Sequence, residues 1–152
     1  MLLKSKCSSV ISGMFGESWK VLNLPQENIL ANTIEMKSRE GEVGYSTNGY
    51  KVIDYLVDNN IKMDKVMMFT DMQMWDSTYT EKHIQKSWTR YRQMCPEAKL
   101  YLFDLQGYGQ APVRHVGDDV TLIAGWSDKV FDVLNAVENG AEVLDQIKNI
   151  EI

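Results

Sequence analysis

The chain has 152 residues, is 44% hydrophobic and 24% charged, and carries a net charge of −5 with two cysteines. That length fits one domain over residues 1–152, able to bury a core without disulfides or a structural metal. Two cysteines are too few for a disulfide framework or a zinc site, which makes a reducing cytoplasm the expected setting; no apolar run reaches the ~20 residues of a membrane span, and the acidic balance excludes a global basic footprint for nucleic acid.

Along the chain, Ser8–Phe15 and Trp19–Leu24 read as two short strands joined by the hairpin-length turn Gly16-Glu17-Ser18. Pro25 is placed to open a helix, whose Ile29, Leu30 and Ile34 form an apolar stripe. Ser38–Ser46 is a polar, glycine-punctuated loop. A second helix starts near Thr47-Asn48. Its Val52, Ile53, Leu56, Val57 and Ile61 repeat with the period of one helical face.

Lys65–Thr70 follows as a strand. Val66 to Phe69 is apolar without alternation, the pattern of a strand buried on both faces of a parallel sheet. A loop over Asp71–Tyr79 leads to a third helix, Thr80–Met94, stopped by Pro96. Ala98–Asp104 is the next strand, Gln106–Gly117 a long glycine-containing loop, and Val120–Ala124 a last buried strand. Ser127 is placed to cap a final helix whose apolar face is Val130, Phe131, Leu134 and Val137; Asn139-Gly140 breaks it before a short C-terminal helix. Strands alternating with helices predict a layered α/β fold with a mostly parallel sheet, and the N-terminal hairpin as an antiparallel edge.

Asp71 is the leading candidate for chemistry. It lies just past the carboxyl end of a buried strand, where open α/β sheets bind ligands. A carboxylate there can ligate a metal, act as an acid or base, or cap the next turn. An aspartyl-phosphate reading is weakened by Gln73, two residues on, where a second Asp is expected. Gly107-Tyr108-Gly109 lacks the third small residue of a dinucleotide loop, since Pro112 stands there. His83, His115, Cys7 and Cys95 have no partners at metal-ligand spacing.

Charge is distributed unevenly. Lys82, Lys86, Arg90, Arg92 and Lys99 face one acid, Glu97, between residues 82 and 99, whereas residues 117–152 are acidic. On the third helix Lys82, Lys86 and Arg90 fall at i, i+4 and i+8 as a basic stripe, with Ile84, Trp88 and Tyr91 as a separate apolar one. Basic residues beside aromatics can bind nucleic acid. A solvated face backed by a buried stripe explains the same pattern.

Taken together, GYSTNGYKVIDYL, VMMFTDMQMW, PEAKLYLFDLQGYGQAP and VTLIAGWSDKVFDVL resemble, in order, segments of a von Willebrand factor A-like domain. The likeness is to the C-terminal A domain of Ro60-like (TROVE-domain) RNA-binding proteins, over about Ser8 to Leu134. The resemblance implies a three-layer, Rossmann-like sandwich with a mostly parallel sheet of about five strands. It also implies a metal-ion-dependent adhesion site, in which Thr47 matches the ligating Thr and Asp71 the later Asp. The DxSxS loop is absent, and with it the family's first strand.

Two protein ligands leave a hard cation mostly hydrated, so Mg2+ is the implied cofactor but would be held weakly or not at all by this chain alone. The resemblance further implies a non-enzymatic binding module with a protein or ribonucleoprotein partner, RNA being bound through a separate domain of a parent protein. The Ser8–Phe15 strand either pairs with Lys65–Thr70 or leaves a sheet edge that could recruit another copy. Two other readings stand beside this one. One is a small metal-assisted hydrolase using Asp71, with Asp76 and Asp104 as further acids. The other is a truncated domain that folds and binds nothing.

Overall fold

The computed structural model describes residues 7–24, 28–70, 80–106, 113–115, 117–125, 129, 130, 132 and 134, with side chains undescribed at 80–82 and 113–115. Among the described residues the elements run in the order β1 (Ser12–Phe15), β2 (Trp19–Leu22), α1 (Ile29–Ser38), α2 (Tyr50–Asp58), β3 (Lys65–Thr70), α3 (Thr80–Met94), β4 (Lys99–Asp104), β5 (Val113–His115) and β6 (Val120–Ala124). Among the described residues no helix is long and apolar enough to cross a membrane.

The strands form two sheets. β1 and β2 make an antiparallel hairpin with Phe15 opposite Trp19. The other four lie in the order β3-β4-β6-β5; β3, β4 and β6 are parallel, and β5 is antiparallel to β6. The expected antiparallel edge of one sheet is therefore corrected: among the described residues β1 pairs with β2 and not with Lys65–Thr70. β5 is also new, since it falls inside the stretch expected to be loop.

Alternation along β4 defines the two faces of the main sheet. Leu100 and Leu102 join Val66 and Met68 of β3 in a core with Val52, Ile53 and Leu56 of α2 and Ile84, Trp88 and Tyr91 of α3. Tyr101 and Phe103 point the other way, into a second cluster with Ile123, Val130 and Leu134. β4 is thus buried on both faces. β3 is not: Val66 and Met68 are buried, whereas Lys65 and Phe69 are exposed. The unbroken apolar run was expected to mean two buried faces. It instead spans one covered face and one on which Phe69 stacks against Phe103, ring centroids 4.4 Å apart.

The hairpin leans on the first core through Phe15 and Trp19, and Trp19 meets Tyr55 of α2 with ring centroids 6.1 Å apart. Two glycines make this close approach feasible. At Gly13 the Trp19 indole occupies the space a Cβ would fill. Gly44, at φ +76°, takes a left-handed turn beneath the Glu17 side chain. The Ser18 amide then donates to the Val43 carbonyl at 3.0 Å, and the Lys51 ammonium donates to the Glu17 carbonyl. These contacts join the hairpin turn to the segment that leads into α2.

Candidate functional site

Chain direction sets which edge of the sheet collects the candidate residues. α2 ends at Asp58, a short connection follows, and β3 then runs back along the sheet. The start of α2 therefore lies toward the carboxyl ends of the parallel strands. α3 begins at that same end, and His83 in its first turn meets Tyr50, the first residue of α2, with ring centroids 5.0 Å apart. The loop holding Thr47, the N-terminus of α2, His83 and the carboxyl end of β3 share one edge.

Thr47 is half-buried, and its carbonyl accepts from the Gly49 amide at 2.9 Å as the chain turns into α2. α2 begins at Tyr50 and not at Thr47-Asn48, with Gly49 as a cap that offers no side chain. Asp71 and Asp76 lie outside the described residues; Asp71 directly follows Thr70, the last residue of β3. Thr70 is in register with Asp104, and Asp104 with Ala124. The Leu105 amide donates to the Thr70 carbonyl at 2.7 Å and the Gly125 amide to the Asp104 carbonyl at 2.6 Å. The Asp104 carboxylate accepts from the Gln106 amide at 3.0 Å. That is the capping role open to any Asp at a strand end, and the local Asp-x-x pattern is the signal for it. Among the described residues no group of three or more His, Cys, Asp or Glu could hold a metal ion.

The basic stripe lies on α3. Lys86 and Arg90 are exposed, and Lys82 is on the same helix with its side chain undescribed. Arg90 is paired with Asp58 of α2 at 3.1 Å, and the Ser87 hydroxyl donates to Asp54 at 2.7 Å. Acids from α2 thus flank the stripe. Sequence reading gave no weight to Asp54 and Asp58, although their i, i+4 spacing places them on one side of their helix. The apolar stripe on α3 is buried as expected: Ile84, Trp88 and Tyr91 all belong to the core. Trp88 Nε1 donates to Asp119 at 2.8 Å, and Arg92 pairs with the same carboxylate at 3.3 Å. The Tyr91 hydroxyl accepts from the Met63 amide at 2.7 Å and lies 3.2 Å from the Ile61 carbonyl. Burial pushes its phenol up to about 12, against the opposing effect of the Met63 amide.

No protein-family model matches the chain, and no curated protein matches it. Among solved structures the chain is similar to the Ro (RSR) protein of Deinococcus radiodurans, with a TM-score of 0.63 and 16% sequence identity. The match covers 87% of this chain and 26% of that one, so the chain spans about a quarter of the length of the Ro protein. At that identity the likeness is one of fold, and this chain shares, over most of its length, the fold of part of a Ro protein.

Proposed function

We propose that the chain is a non-enzymatic binding module of von Willebrand factor A type, related to the A domain of Ro60-like RNA-binding proteins. The observation that carries this reading is the fold likeness to the Ro protein over 87% of the chain. Four sequence segments had suggested the same family independently of that likeness. The module would work in the cytoplasm and contact a protein or ribonucleoprotein partner, while RNA is held by another domain of a parent protein. Lys82, Lys86 and Arg90 would make at most an auxiliary electrostatic contact, because Asp58 already pairs with Arg90.

Thr47 and Asp71 would form the remainder of a cation site. The donor set suits Mg2+, a hard ion that takes oxygen ligands and keeps several waters when few protein groups are present. Tight binding would need further carboxylates from a partner. The alternative of a metal-assisted hydrolase would need Asp76 or Asp104 as a further acid at the same edge, and one oxygen of the Asp104 carboxylate accepts from the Gln106 amide.

Thermal unfolding with Mg2+ or Mn2+ tests the site. A small upward shift at millimolar metal, lost in Asp71→Ala and reduced in Thr47→Ala, is expected. No shift removes the cation site from the proposal. Metal-dependent phosphoester hydrolysis that disappears in Asp71→Asn would replace the binding module with the hydrolase. RNA binding across a salt series tests the basic stripe, and an affinity unchanged in the Lys82, Lys86 and Arg90 alanine triple variant would dismiss it.

A further inference from the structure

α1 is attached to the molecule by its polar side. Asn32 is fully buried, and Glu35 and Arg39, half-buried, form an i, i+4 ion pair at 2.6 Å. Its apolar side faces outward: Ile29 is 64% exposed, Leu30 69% and Ile34 61%. At 3.6 residues per turn these three span an arc of about 140° away from Asn32 and Arg39. Met36 extends the arc on one side. Tyr45, also exposed, follows the helix with its hydroxyl against Gly41.

A ten-residue helix is marginal in water on propensity alone, and most helical stability comes from packing an apolar face. Among the described residues nothing buries that face of α1. The exposed apolar surface is on the order of 500 Å², near the upper end of what monomeric proteins show, and such patches mark interaction sites. Two of these faces laid together would bury on the order of 1,000 Å², the threshold of a specific interface. A two-fold interface uses the same patch on both copies, so a second copy can cover this stripe with its own α1.

We propose that α1 is a self-association surface, on which a second copy of this chain packs its own α1 through Ile29, Leu30 and Ile34. The buried area puts the dimer in the weak class, forming and dissociating across the micromolar range. This proposal does not depend on the functional reading above, because it uses neither Thr47 nor Asp71 nor the basic residues of α3.

Sedimentation equilibrium or light scattering over the micromolar range tests it. The intact chain is expected to pass from one copy to two as concentration rises. The double variant Leu30→Glu with Ile34→Glu is expected to stay at one copy, with unchanged circular dichroism and melting temperature, since both positions are solvent-facing. A wild-type chain that remains a single copy at the highest concentration overturns the proposal. So does a dimer that survives the double variant, which would locate the contact elsewhere, such as the β3 edge. If the double variant loses helix, Thr33→Cys in a Cys7→Ser background decides. Thr33 lies midway along the stripe, so mild oxidation is expected to yield a covalent dimer, and its absence refutes a two-fold α1 pair.

Discussion

α1 and α2 are helices of nearly equal length, each with an apolar stripe in sequence, and they sit in opposite environments. α2 buries Val52, Ile53 and Leu56 between the hairpin and the main sheet. Among α1 residues only Asn32 is buried, while Ile29, Leu30 and Ile34 face water. The difference comes from where each helix lies. α2 is clasped on one side by Phe15 and Trp19 and on the other by Ile84, Trp88 and Tyr91. On α1 the one buried side chain is the Asn32 amide, and the Glu35–Arg39 ion pair lies within the helix itself. An apolar stripe shows which face of a helix can be covered; whether it is covered depends on which elements the chain brings beside it.

The sharpest test sets matching substitutions on the two helices. Ile53 is fully buried, so Ile53→Ala removes packed atoms from a closed core and is expected to cost about 3–4 kcal/mol. Ile34→Ala on α1 is expected to change stability by less than about 0.5 kcal/mol at concentrations where the chain is a single copy. Urea unfolding of both variants checks the pair. A similar loss at both positions would mean that α1 is as well anchored as α2.

The connection after α2 provides a second probe through Tyr91. Its phenol is held up to about 12, so the folded chain keeps the proton where the unfolded chain, with a phenol near 10, has lost it. The unfolded state then binds fewer protons, and stability falls as pH rises from about 10 toward 12, by on the order of 2 kcal/mol from this group. Tyr91→Phe should flatten that part of the pH profile while costing about 1–2 kcal/mol at neutral pH, because the Met63 amide loses its acceptor. A profile in Tyr91→Phe as steep as the wild type would assign the alkaline loss to other groups. Close to that in size, Trp88→Phe deletes the indole bond to Asp119 but leaves Arg92 beside the carboxylate, and is expected to cost about 1 kcal/mol in the same urea assay. No loss would mean that Arg92 alone holds that carboxylate.

These cases show what could be read from residues alone. The faces of α2 and α3 were legible because a 3.6-residue period over nine or more positions admits one interpretation. β4 and β6 were legible for a related reason, since short apolar runs between turn signals suit central strands. β3 has the same kind of run, yet among the described residues it ends the sheet with Phe69 exposed, because a continuous apolar segment does not distinguish a strand covered twice from one at an edge. The short strand Val113–His115 was missed within a loop marked by glycines, where pairing with β6 outweighs local signals. At the candidate site, Thr47 was singled out through the family resemblance and lies in the loop before α2, whereas the acids beside Arg90 depend on two helices meeting. Asp71 was the strongest sequence candidate and lies outside the described residues.

The smallest expected effect on overall stability separates the two helices most finely. Asn28 caps α1, its side chain accepting from the Ala31 amide at 3.0 Å. Losing such a cap costs about 1 kcal/mol of helix stability. If α1 opens without the core, that cost stays local. Asn28→Ala should then speed amide exchange across Ile29–Ser38 about fivefold while leaving the urea midpoint and the exchange of α2 where they were. The physical reason is that opening α1 exposes little apolar surface not already in water, so the rest of the molecule loses almost nothing when it frays. At concentrations that favour the dimer the same variant should exchange more slowly, because a partner covering Leu30 and Ile34 would couple α1 to a second body. A midpoint that drops by the full cost of the cap at low concentration would show instead that the buried Asn32 ties α1 into the cooperative unit, and that polar anchoring can replace the apolar packing by which α2 is held.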